Sequence, residues 1–170
     1  MSKRVRRLTE LSVLTAIALI IFVIELQIPN PFPIPGIKLG LANIAILVTM
    51  CTVGKREALM VAVYRSLLIL AFGGNIVGFG FSLLGGVAAG FTMYVLIEIK
   101  HVSIFGVSIG GAAMHAIGQI VVAMMFAKSI YIVSYLPWLM VASSFAGGII
   151  AFLSIPVIKA LDHIGNEMIQ

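Results

Sequence analysis

Residues 101–127 read HVSIFGVSIGGAAMHAIGQIVVAMMFA, and no Asp, Glu, Lys or Arg interrupts them. Residues 66–97 and 129–158 are equally free of those four residue types. A helix needs about 20 apolar residues to cross about 30 Å of hydrocarbon, and these runs meet that length. Lipid offers the backbone no hydrogen-bond partner, so each run must satisfy its own amides, as a helix does. The composition agrees, at 61% hydrophobic and 10% charged with a mean hydropathy of +1.18. The chain reads as an all-α membrane protein with one integral membrane domain over residues 1–170.

Working outward from these runs gives six spans, at Leu8–Ile28, Ile37–Val53, Ala58–Phe72, Phe81–Ile97, Ile104–Ala127 and Leu136–Ile158. Residues 1–7 form a basic N-terminus, 8–159 the six-helix bundle and 160–170 a tail. The first span is longer than a signal-peptide core and lacks a small-x-small cleavage site, so it is read as retained. Between spans three and four lie Gly73, Gly74, Gly78 and Gly80, which predict non-helical backbone at membrane depth, tolerable only where protein or a cavity covers it. The segment Pro29–Gly36 carries prolines at alternate positions, which favour stiff extended backbone and fit either a shaped lid or a rigid connector.

Charge sets the orientation. The formal net charge of +5 would suggest nucleic acid in a soluble protein, but here the basic residues flank apolar spans. With the N-terminus inside, cytoplasmic segments hold Lys3, Arg4, Arg6, Arg7, Lys55, Arg56, Lys100 and Lys159, against Lys38 and Lys128 outside. Both termini then face the cytoplasm of a multi-pass cell-membrane protein.

Polar groups within spans are costly, so each one is a functional hypothesis. Arg65 lies about halfway along span three, too deep to snorkel easily. Either an anionic ligand or an ion pair with Glu25 of span one would satisfy it. His115 and Gln119 are four residues apart on one face of span five, with Gly111 and Gly118 nearby to leave room for something other than protein. With Glu25, Lys38, Asn43 and Asn75 they gather toward the outer half around Arg65, which suits capture from outside better than a continuous channel. Phe32, Phe79 and Phe81 are candidates to stack on a ligand. Small residues at intervals of four, Ser82, Gly86 and Gly90 on span four and Ser143, Gly147 and Ala151 on span six, predict close helix contact. They fit packing within the bundle or a homodimer.

Some chemistry is unsupported. There is no phosphate-binding loop motif of an ATPase. Asp162 is the only aspartate, so no clustered carboxylates are available to hold magnesium on a diphosphate. Cys51 is the only cysteine, which rules out an internal disulfide or a thiolate zinc site. No metal, no cofactor and no catalytic residue is expected, and the chain is read as a non-enzyme.

The run Ile34-Pro-Gly-Ile-Lys-Leu-Gly-Leu-Ala-Asn-Ile44, with Gly54-Lys-Arg-Glu-Ala58, Arg65, Ser82-Leu-Leu-Gly-Gly86, Gly106-Val-Ser-Ile-Gly110 and His115-Ala-Ile-Gly-Gln119, resembles the Gx transporter family, also labelled heptaprenyl diphosphate synthase component I. The resemblance covers nearly the whole chain. It implies kinship with the S components of energy-coupling factor (ECF) importers, six-helix proteins that bind a vitamin-like molecule from outside. In that scheme a transmembrane coupling protein and two ATPases drive transport. An Ala-x-x-x-Ala motif on helix one often meets the coupling protein; here Ser12 and Ala16 stand in its place, and Ala16-x-x-x-Ile20 departs from it. The other label implies a noncatalytic membrane partner of a polyprenyl synthase or of a quinone or redox assembly. Flavin, quinone-precursor and isoprenoid-phosphate ligands all remain open at this point.

Overall fold

A computed structural model of the chain describes residues 3–27, 38–72 and 74–167, and these form six α-helices. They are α1 (Lys3–Gln27), α2 (Asn43–Thr52), α3 (Lys55–Ala71), α4 (Ile76–Leu96), α5 (Ile104–Ala127) and α6 (Leu136–Glu167). A 3-10 helix, Ile130–Tyr135, leads into α6, and no strand occurs among the described residues. Four stretches, Arg7–Gln27, Ile76–Leu96, Ile104–Ala127 and Ile130–Leu161, are long and apolar enough to cross a membrane. The chain is a helical multi-pass membrane protein. The expected Pro29–Gly36 lid, Phe32 and Gly73 lie outside the described residues.

Several helix boundaries differ from the sequence reading: α1 and α3 begin earlier, at Lys3 and Lys55, and three further differences have local reasons. α2 starts at Asn43 rather than near Ile37, because Gly40 at φ +81° turns the chain immediately before it. That left-handed backbone suits glycine, which has no Cβ to clash. α4 starts at Ile76 rather than Phe81, since the Asn75 side chain accepts a hydrogen bond from the Gly78 amide at 2.6 Å and caps the helix. Gly78 and Gly80 are therefore helical, not irregular. α6 continues through Pro156 to Glu167, well past Ile158. Fixed hydroxyls also turn inward on the helices: Thr49, Thr52, Ser66 and Thr92 each donate to the carbonyl four residues earlier.

Ion pairs at one end of the bundle fix its helix directions. Arg7 near the start of α1 meets Glu57 near the start of α3 at 3.2 Å, so these helices run the same way. Lys55 opens α3 and pairs with Glu98 just beyond α4, which therefore runs opposite. This is the end where the basic N-terminus, Lys55, Arg56 and Lys100 gather. At the far end, Tyr131, Tyr135 and Trp138 are exposed beside Lys128, the residue mix that favours a membrane interface.

Packing runs from α3 to α4, α4 to α5, α5 to α6 and α6 to α2, with α2 also touching α1, α3 and α4. The ten residues of α2 are thus enclosed. Ile46, Leu47 and Met50 form a core with Ala58, Ala62, Met93, Val107 and Ile150. The opposite faces of α1 and α6 expose Ile17, Ile20, Ile24, Phe145 and Phe152, as a lipid-facing surface would.

Helices α4 and α5 approach closely. A Cβ on Gly118 would lie 2.9 Å from the Gly85 Cα and 2.9 Å from the Leu84 carbonyl oxygen. The room expected beside Gly118 is thus filled by α4 backbone, and that beside Gly111 by Met93. On α6, Gly147 seats against Ile109 Cα, and its carbonyl accepts from Ser108 Oγ at 2.7 Å. These small residues pack within the bundle. Gly148, by contrast, faces nothing within 4 Å. Gly118→Ala is therefore expected to destabilise the bundle by about 1–3 kcal/mol through overpacking. Gly148→Ala should be neutral or up to about 1 kcal/mol stabilising, from helix propensity. Thermal unfolding of both variants in one detergent checks the pair.

Candidate ligand-binding site

At the end of the bundle opposite the ion pairs, α1, α3, α4 and α5 enclose a cavity of about 400 Å³. Its size falls in the range of small-molecule sites, about 300–1,000 Å³. Phe22, Leu26, Ile69, Val77 and Phe81 supply apolar wall, while Glu25, Lys38, Arg65, Asn75, Ser82, His115 and Gln119 supply polar groups. Six expected site residues thus meet at one place: Glu25, Lys38, Arg65, Asn75, His115 and Gln119.

Arg65 is 2% exposed. Its Nη2 donates to the Ser82 carbonyl over a long 3.5 Å, and its buried Nε has no hydrogen-bond partner. Among the described residues no carboxylate is in ion-pair contact with it. The Arg65–Glu25 pair expected as one alternative is absent at contact distance, because Glu25 has another task. Its Oε1 accepts from the Gly40 amide at 2.6 Å. Gly86 makes room for the guanidinium, since a Cβ there would lie 2.9 Å from Nη2.

His115 and Gln119 form a relay between α4 and the segment before α2. The Lys38 amide donates to Gln119 Oε1 at 3.3 Å, and Gln119 Nε2 lies 2.9 Å from His115 Nε2. With its oxygen used as acceptor, the Gln119 amide donates, so His115 Nε2 must accept and the proton sits on Nδ1. Nδ1 lies beside Gly85 and is buried without a hydrogen-bond partner. A Cβ on Gly85 or Gly40 would lie within 2.9 Å of the imidazole, so two glycines clamp the ring.

The remaining expected residues have different surroundings. Asn75 lines the cavity but its side-chain oxygen is used as the α4 cap. Asn43 is fully buried behind Gly40, outside the cavity lining, with both amide atoms unpartnered. Phe81 lines the cavity and Phe79 does not. Ser12 and Ala16 lie on the exposed side of α1, on the half nearer the ion pairs. Sequence reasoning did not single out Phe22, Leu26 or Ile69, and it read Ser82 as a helix-packing residue rather than as cavity lining. Nor did it separate Gly85 and Gly86, which clear space for charged and polar side chains, from glycines that merely let helices touch.

Lys38 sits in the short stretch between Gly40 and the undescribed residues, outside the helices. Its Nζ lies 3.7 Å from the centre of the Phe22 ring, a cation–π contact. Burial lowers its pKa from 10.5 to about 8, resisted by Glu25 and assisted by Arg65. Among the described residues, no group of three or more His, Cys, Asp or Glu is placed to hold a metal ion.

The geometry predicts that Glu25 and Gln119 act on the cavity through the Lys38–Gly40 segment. Glu25→Leu should speed hydrogen exchange at the Gly40 amide by on the order of tenfold or more, the value of one hydrogen bond to a charged group. Glu25→Gln, which retains an acceptor oxygen, should have a smaller effect. Gln119→Leu should do the same at the Lys38 amide. Hydrogen exchange of the detergent-solubilised protein reads all three.

Comparison with known proteins adds two findings. The family model described as heptaprenyl diphosphate synthase component I matches residues 14–156. A solved structure, described as that of the S component of a bacterial ECF transporter, shares this fold with a TM-score of 0.67. Their sequences are 22% identical, and the match covers 95% of this chain and 98% of the other. No curated protein matches the chain.

Proposed function

Since the chain belongs to the heptaprenyl diphosphate synthase component I family and has the fold of an S component, we propose that it is the substrate-binding subunit of an ECF-type importer. It would sit in the cell membrane and capture a small vitamin-like solute, related to a flavin, a quinone or an isoprenoid, from outside. The observation that carries this reading is Arg65, a buried cation at a cavity with no ion-pair partner among the described residues. An intramembrane charge without a protein partner is costly, and an anionic solute would offset that cost. The polar-lined cavity lies at the end of the bundle opposite the ion pairs, as suits a receptor for one side of a membrane. Ser12 and Ala16, exposed on α1, would meet a transmembrane coupling protein, with the ATPases supplied by other subunits.

The family's description favours a second reading, a noncatalytic membrane partner of a heptaprenyl diphosphate synthase. Native mass spectrometry of the protein extracted gently from its host separates the two. A copurified small molecule with a coupling protein and ATPases supports the importer; a prenyl synthase without ATPases supports the partner role.

For the bound solute, Arg65→Ala should reduce affinity about 30-fold or more, the usual cost of truncating a buried charged contact. His115→Ala should reduce it less, because His115 acts through Gln119 and the Lys38–Gly40 segment. Affinity should also fall as the pH rises through about 8. Below that value Lys38 is charged and attracts an anion, and above it the ammonium loses its proton. Titration calorimetry from pH 6 to pH 9, run on wild type and Lys38→Met, checks the sign; a pH-independent wild type would remove Lys38 from the site.

A further inference from the structure

Taking the cavity as the solute site, we infer that its occupant is a monoanion: one planar acid group seated on Arg65, carried by a ring body with few hydroxyls.

Charge balance is the first argument. The cavity contains two cations, Arg65 and Lys38, and one carboxylate, Glu25. The formal charge of these groups is therefore +1, with Arg65 and Glu25 both buried. A single negative charge brings the site to neutrality. A phosphate monoester would overshoot, and a diphosphate would leave several uncompensated charges in a medium of low dielectric constant. This separates the solutes that the sequence left open, favouring a ring carboxylate over an isoprenoid diphosphate.

The second argument is the shape of the donor. A guanidinium offers parallel N–H groups that match a carboxylate edge in bidentate fashion. On Arg65 one nitrogen has only the 3.5 Å contact with Ser82 and the buried Nε has no partner, so the protein leaves the hydrogen-bonding capacity of the guanidinium largely unused. Glu25 does not compete for them, being engaged with the Gly40 amide.

The third argument is how few other polar groups remain free. Gln119 Oε1 is taken by the Lys38 amide and its Nε2 contacts His115. The Ser82 hydroxyl is paired with Ser66 at 2.9 Å, and the Asn75 oxygen with the Gly78 amide. Among the described residues this leaves a polyhydroxylated chain few partners besides the Glu25 carboxylate and the unpartnered His115 Nδ1. Phe22, Leu26, Ile69 and Phe81 offer instead an apolar enclosure for a ring.

The test uses the full-length protein in lipid nanodiscs and three probes with one ring system: 2-naphthoate, its neutral amide and 2-naphthyl phosphate. Calorimetry should show the carboxylate binding about tenfold or more tighter than either of the others, as expected for a charge-assisted hydrogen bond. Arg65→Gln should abolish that preference, and Arg65→Lys should keep a preference for anions at reduced affinity. Equal or tighter binding of the amide or the phosphate to wild type overturns the inference, whether or not the variants fold. Mass spectrometry of small molecules retained by the purified protein separates this failure from that of the underlying reading. A retained solute that is neutral or multiply charged overturns the monoanion alone. No retained solute together with no binding of any probe overturns both.

Discussion

The spacing between α4 and α5 governs the site. Gly118 meets the backbone of Gly85 and Leu84, so a side chain there would press on the α4 backbone. That approach brings His115 against Gly85 and places it between α4 and Gly40. One side chain larger than hydrogen at Gly85 or Gly118 would separate the helices or displace the imidazole. From His115 the constraint passes to Gln119 and the Lys38 amide, while Glu25 holds the neighbouring Gly40 amide from α1. The segment before α2 is therefore positioned by side chains of two helices that need not touch each other.

Arg65 occupies the space this framework leaves. Its burial requires Gly86, because any Cβ there would press on the guanidinium. An ion pair with Glu25 would be the simplest way to offset the buried charge, and the fold does not use it. Glu25 is held at Gly40, near enough to influence Lys38 and Arg65 electrostatically without being in contact with Arg65. A carboxylate in this position lowers the cost of the cation while leaving its hydrogen-bond donors available. If the cavity binds a solute as proposed, that arrangement trades some stability for a receptive site.

The membrane character and the helices of the fold were legible because they depend on long apolar runs, and α5 falls at the expected residues Ile104–Ala127. Arg65, His115 and Gln119, which line the cavity, were legible because a charged or amide side chain within an apolar run is conspicuous. What the sequence could not display was which groups would use up one another's hydrogen bonds. Glu25 and Gly40 are far apart in the chain, and their bond depends on how α1 meets the α2 entrance. Asn75 reads equally well as a ligand donor and as a helix cap, and only the position of the Gly78 amide decides that its oxygen caps α4. Glycine was the least legible residue. Gly86 and Gly90 share one spacing on α4, yet the first clears a guanidinium and the second meets Leu59.

The two ends of the bundle divide their labour along the same physical lines. At the basic end, Arg7 with Glu57 and Lys55 with Glu98 pair their charges and tie α1, α3 and α4 together. Ion pairs there can exchange with water and lipid headgroups, so none needs a ligand. At the cavity end, the charges sit deeper and are held apart by backbone contacts and glycine clearances, so that complementarity is left incomplete. Pairing Arg65 within the protein would stabilise the empty bundle but remove the driving force for an anion to enter. Under the proposed reading, the affinity of the site and the cost of its empty state would arise from one feature, the cation that the fold buries without a contacting carboxylate among the described residues.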